Sequence, residues 1–215
     1  AKAYSHHFNK PFDYVMNSVN IISYCKSQRP NYKIIISYFG SLGLNRGNMI
    51  AELGGLSKNR FVINVYSFSI TDELRELFNA AGVTFKGSLT GADLEKAMFD
   101  SDILLHVESD DIKYRSFTRL AISTKIPEYL MHSRFVLGYG PAELASMELL
   151  TENKIGMCIN SDSTIQEKEQ QLEQIMDANF RNEIAYCGYL YATKHFDKKK
   201  NADLVKDAIA FILKD

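Results

Sequence analysis

The sequence predicts a doubly wound parallel α/β sheet, a Rossmann-like class, with a helical C-terminal tail. Three observations carry that class. Short β-branched and aromatic runs alternate with helix-patterned segments from about residue 33 onward. The runs are almost continuously apolar, as strands buried on both faces are. The connections between them are short, which favours parallel strands joined by crossover helices.

The first strand is predicted over Tyr32–Phe39, a β-branched and aromatic run ended by Gly40. Asn45 precedes a helical pattern with Met49, Ile50, Leu53 and Leu56 at three- and four-residue steps. Phe61–Tyr66 is the second strand. Thr71 is a plausible N-cap for a helix with Glu73 and Glu76 near its start and Leu74, Leu77 and Phe78 on one face. A short strand over Val83–Phe85 and a helix through Leu94, Ala97 and Met98 follow, then a strand over Ile103–Val107. The residues from Glu108 to Arg115 read as a polar loop.

Next comes Ser123-Thr124-Lys125-Ile126-Pro127-Glu128-Tyr129-Leu130, the front of a short helix, leading into a strand at Phe135–Leu137. Pro141 is expected to start a helix through Leu144, Met147 and Leu150, followed by a strand over Ile155–Ile159. Three helices are predicted in the tail, at about 163–177, 179–194 and 201–213. The last has an apolar face of Leu204, Val205, Ala208, Ile209 and Ile212. The first 30 residues do not share this rhythm: Phe12 to Tyr24 fits a helix or a strand and loop, and Gln28–Asn31 reads as a linker. Residues 1–31 are therefore expected to be a remnant of a preceding domain and its link, with 32–215 as the main domain.

Composition narrows the function classes. A net charge of -1 argues against broad nucleic-acid binding, which needs a basic excess to displace counterions. Cys25, Cys158 and Cys187 are odd in number and lack CxxC spacing, so neither a disulfide framework nor a zinc site is expected, and a cytoplasmic location is. No apolar run reaches the roughly 20 residues of a membrane span.

In such a sheet, ligands sit beyond the carboxyl ends of the strands. Three segments there can contact a phosphate or nucleotide. Gly40-Ser41-Leu42-Gly43-Leu44-Asn45-Arg46-Gly47 offers close backbone approach, a helix start and a cation, or else a tight turn with a surface arginine. Ser123, Thr124 and Lys125 offer amides and a cation, and Glu128 can accept two hydrogen bonds from a diol. The plainer reading of Glu128 is a glutamate complementing a helix dipole. Val83-Thr84-Phe85-Lys86-Gly87 can expose backbone to a base edge, or is only a turn. Glu108, Asp110 and Asp111 read as solvated carboxylates, and no metal site is expected.

In order and spacing, these segments resemble the C-terminal, donor-binding half of a retaining GT-B glycosyltransferase of the glycosyl-transferase group 1 type. The resemblance runs from about Lys33 to Ser161. It includes Asp93-Leu94, Ser101–Leu105, Ser123–Leu130 and Arg134–Pro141. It implies a transferase using a nucleoside-diphosphate sugar, with no other cofactor. Arg46 and Glu128 would be the catalytic positions, and Arg46 would contact the donor diphosphate. Gly40 and Ser41 would lie at the turn beneath the donor, and Phe85, Lys86 and Gly87 along the base. Ser123, Thr124 and Lys125 would meet the phosphates, and Glu128 would bind the ribose hydroxyls. The sequence departs from the family at two places. Ser41 stands where arginine is frequent, and Leu120 stands where many members carry an earlier glutamate; Glu108 or Asp110 is the candidate substitute.

The resemblance further implies that a glycan or lipid-linked acceptor binds an additional N-terminal domain, without which this chain is inactive. It leaves room for peripheral membrane association of the full-length protein. A GT-B-like nucleotide-sugar epimerase and a non-catalytic nucleotide-binding regulatory module are the alternatives.

Overall fold

The computed structural model describes residues 2–9, 15–27, 33–57 and 60–213. A seven-residue helix, α1 (Lys2–Phe8), lies at the start. The sheet strands are β1 (Ile34–Phe39), β2 (Phe61–Tyr66), β3 (Val83–Phe85), β4 (Ile103–Val107), β5 (Phe135–Gly140) and β6 (Met157–Asn160). All are parallel, in the order β3-β2-β1-β4-β5-β6. The predicted doubly wound class is therefore the observed one. The order reverses between β1 and β4, where Ile36 faces Ile103 and Tyr38 faces Leu105.

The crossover helices are α2 (Arg46–Ser57), α3 (Asp72–Ala80), α4 (Gly91–Phe99), α5 (Ile112–Thr118), α6 (Lys125–Met131) and α7 (Ala145–Glu152). Strand periodicity divides their cores. Ile34, Ile36, Tyr38, Ile103, Leu105, Val107, Phe135, Leu137 and Tyr139 pack on one face with Met49, Ile50 and Leu53 of α2. Phe39, Leu104 and Val136 alternate to the other face. There they meet Met98 of α4, Ile126, Tyr129 and Leu130 of α6, and Leu150 of α7. Thr71 caps α3 by accepting from the Leu74 amide, as its position predicted.

The tail forms α8 (Ile165–Gln174), α9 (Ala178–His195) and α10 (Lys198–Ile212). Thr164 and Glu167 close a reciprocal capping box at α8. The predicted apolar face of α10 is left open, with Leu204 57% and Ile209 52% exposed. No helix among the described residues is long and apolar enough to cross a membrane.

Four local expectations change. The polar loop after β4 contains α5, because Asp111 accepts from the Lys113 amide and nucleates a turn. Pro141 does not start α7. Leu144 donates back to the Pro141 carbonyl, and the buried Leu144 is the cap of a helix beginning at Ala145. The fifth strand extends three residues beyond Leu137, and the sixth starts at Met157 rather than Ile155. Of the N-terminal segment, residues 15–27 run without helix. Val19 bridges Asp197, Ile22 donates to Met131 Sδ and accepts from Tyr189, and the Cys25 carbonyl accepts from Arg134. The predicted linker at Gln28–Asn31, and Tyr32 at the head of the first predicted strand, lie outside the described residues.

Candidate functional site

The strand-order reversal opens a crevice between the carboxyl ends of β1 and β4, the position where open α/β sheets hold ligands. A compartment of about 210 Å³ lies there, lined by Gly40, Ser41, Arg46, Ser123, Thr124 and Lys125 among others. Six of the predicted site residues, from two segments nearly 80 residues apart, thus converge on one space. A larger compartment of about 650 Å³ adjoins it across Phe39, Gly40, Ser41 and Lys125. It extends between the loops after β1, β2 and β3.

Each wall has a local cause. At the end of β1, burial pushes the Tyr38 hydroxyl up to about 12, so it stays a neutral donor and binds the Ser41 carbonyl at 2.6 Å. That bond fastens the turn over which Gly40 adopts a φ of 154°; a Cβ at Gly40 would lie 3.2 Å from the Tyr38 oxygen. The following Leu44 and Asn45 both have left-handed backbone, at φ 56° and 64°, before α2 begins at Arg46. Such consecutive non-glycine residues hold local strain that the surrounding bonds must offset. Asn45 donates to Asp110 at 3.0 Å, which secures the bend.

Arg46 is aimed rather than loose. Its Nε donates to the Val107 carbonyl at 3.1 Å and its Nη2 to Glu108 Oε2 at 3.2 Å. Glu108 is buried, and its other oxygen lies 3.2 Å from His106 Nε2, at ion-pair distance but without hydrogen-bond alignment. Burial pushes the Glu108 carboxyl up, yet His106 and Arg46 outweigh it and hold the group below its ordinary value. Arg46 Nη1 has no hydrogen-bond partner among the described residues, so the guanidinium keeps donors for a ligand.

The opposite wall is the start of α6. Tyr129 anchors it: its buried hydroxyl accepts from the Phe39 amide and donates to the Phe39 carbonyl, joining α6 to the end of β1. Burial raises that phenol well above its ordinary value and keeps it a donor. Pro127 falls in the first helical turn, where its missing N–H removes no helical bond. Lys125 reaches both compartments, and its Nζ lies 3.6 Å from Glu128 Oε2. Glu128 is half-buried and lines neither compartment directly.

The amides of this segment are not all open. The Ser123 amide donates to Ser146 Oγ, and the Lys125 amide to Ser123 Oγ. Of the three, Thr124 alone has an amide without a partner among the described residues. Phe85, Lys86 and Gly87 line neither compartment: Arg75 covers the Phe85 ring at 5.4 Å, and the Lys86 amide is spent on the Val65 carbonyl. Ser88 and Leu89, just beyond them, form the wall instead.

The loop carboxylates each have a partner: Glu108 accepts from Arg46, Asp110 from Asn45, and Asp111 from the Lys113 amide. The sequence reading missed Tyr129 as an anchor and the loop Ser67-Phe68-Ser69-Ile70, which forms one side of the larger compartment. The one sequence signal for that loop was its place at the end of an apolar strand.

No family model and no curated protein matches the sequence. Solved structures match the fold. Sucrose-phosphate synthase from Thermosynechococcus elongatus superposes with a TM-score of 0.70 at 12% identity, over 99% of this chain and 56% of its own. Anabaena HepE in complex with UDP and glucose gives 0.66 at 16% identity, over 83% and 48%. The C-terminal domain of LpcC from Francisella tularensis, a glycosyl transferase group 1 family protein, gives 0.53 at 18% identity, over 77% and 87%. This chain thus spans about half the length of the first two. Its fold is that of a C-terminal GT-B domain.

Proposed function

We propose that the crevice binds the nucleoside diphosphate of a nucleotide sugar, and that the chain is the donor-binding domain of a retaining glycosyltransferase in glycan or polysaccharide assembly. The observation that carries this reading is the convergence of Arg46 and Lys125 on the Gly40–Ser41 turn at the strand-order reversal. Two cations beside a close-approach turn suit a diphosphate. The fold shared with HepE, which was solved with UDP and glucose, supports the same ligand class.

On this reading Arg46 meets the diphosphate through its unengaged Nη1, and Lys125 through Nζ. In transfer, negative charge develops on the leaving diphosphate. These cations stabilise it from fixed positions, and no metal is required. Thr124 supplies an amide, and Glu128, steered by Lys125, takes the ribose hydroxyls. Residues 1–31 connect to an acceptor-binding domain, and the glycan or lipid-linked acceptor reaches the sugar from there. The assembled enzyme is cytoplasmic, with room for peripheral membrane association.

Titration calorimetry of this chain with UDP, GDP and ADP tests the reading. We expect one nucleotide to bind, and Arg46→Ala and Lys125→Ala each to weaken it by about tenfold or more, as for lost charge-assisted hydrogen bonds. Absence of binding by all three to a folded chain overturns it.

A further inference from the structure

Phe68 is the most exposed large apolar side chain among the described residues, at 92%, and it lies on the rim of the 650 Å³ compartment. Exposed apolar residues are common singly, but this one stands at the mouth of a cavity with a distinctive lining. The wall carries Tyr66, Ile70, Leu89 and Leu94 with the hydroxyls of Ser67 and Ser88. Among the described residues its single charged side chain is Lys125, at the boundary with the smaller compartment. Such a lining takes a flat, uncharged group whose edge carries hydrogen-bonding atoms, attached to an anion held by Lys125 and Arg46.

The loop is braced at both ends. Tyr66 stacks on Phe39 at 4.7 Å with an interplanar angle of 5°, fixing the strand end, and Thr71 caps α3 two residues beyond Ser69. Between these braces Phe68 has no ring contact among the described residues. We propose that the Phe68 ring closes over the base of the bound nucleotide and stacks on it, making Phe68 an affinity-determining residue of the donor site. The proposal rests on the donor-site reading above. Stacking is available to every base, so the ring contributes affinity for nucleosides over bare phosphates rather than choice among bases.

Calorimetry of the wild-type chain, Phe68→Ala and Phe68→Trp with UDP, GDP, ADP and inorganic pyrophosphate separates the possibilities. We expect Phe68→Ala to weaken the best-bound nucleotide by about fivefold or more and pyrophosphate by less than about twofold. Phe68→Trp, which keeps an aromatic face, restores nucleotide binding. Equal nucleotide affinity of wild type and Phe68→Ala overturns the stacking role while leaving the donor site standing. An equal loss of pyrophosphate affinity also overturns it, since the ring would then act on the loop. Failure of the wild-type chain to bind any nucleotide removes the donor-site reading itself. Because Phe68 is exposed, matching melting temperatures should accompany all three proteins.

Discussion

Arg46 was recognisable in the sequence as a cation after a glycine turn, but its environment was not. It is tied to the buried Glu108, which in turn faces His106. Removing the guanidinium leaves a buried carboxylate with less compensation, a costly arrangement. Arg46→Ala should therefore lower stability by about 1–3 kcal/mol, measured by urea unfolding. Arg46→Ala combined with Glu108→Gln should recover part of that loss. The Glu108 carboxyl is depressed in the folded state, so its contribution is present above its ordinary value of 4.5 and lost as pH falls through the folded value. The wild-type melting temperature should accordingly fall more steeply below about pH 4.5 than that of Glu108→Gln. Glu108 was a candidate for the sugar contact absent at Leu120. Its burial and engaged oxygens make it a support for Arg46 instead.

At the scale of elements, α2 shows what local pattern conveys and what it omits. Its three- and four-residue apolar spacing placed the buried side chains Met49, Ile50 and Leu53 correctly. It said nothing of the two adjacent glycines, which differ sharply in surroundings. A Cβ at Gly54 would lie 2.7 Å from the Ala81 carbonyl oxygen and 2.6 Å from Val83 Cγ2, because the helix packs directly on the start of β3. A Cβ at Gly55 would meet nothing within 4 Å. Gly55→Ala should stabilise by about 0.5–1 kcal/mol through helix propensity. Gly54→Ala should destabilise by about 1–3 kcal/mol, as overpacking against backbone outweighs the same gain. Thermal unfolding of the two variants is a matched test. Short elements were less legible: α5 forms on an Asp111 capping bond inside a polar stretch, where apolar periodicity has nothing to report.

At the scale of the molecule, the site is assembled from the ends of β1 and β4, the start of α2 and the start of α6, which only the folded sheet brings together. A ligand binding there engages the folded state alone. On the donor-site reading, a nucleoside diphosphate at about 100 times its dissociation constant should stabilise the chain by about 2.7 kcal/mol. At the same nucleotide concentration the shift should fall to about half or less in Arg46→Ala, and a flat wild-type melting temperature at saturating nucleotide would contradict the reading. The open face of α10 belongs to the same scale. Its apolar spacing is plain in the sequence, but that spacing does not reveal that the face stays uncovered in this chain.

The sequence by itself determined the parallel α/β class, five of the six strands to within two residues, and two of the three segments that line the smaller compartment. Those features follow from apolar runs, caps and glycine turns, which act over a few residues. Tertiary structure alone decided which groups are free to act. The Ser123 amide is taken by Ser146, Glu108 is locked beneath Arg46, Phe85–Gly87 stand away from the crevice, and Phe68 stands at its mouth. Each of these depends on partners distant in the chain, and availability of a donor or a ring is a property of its neighbours in space.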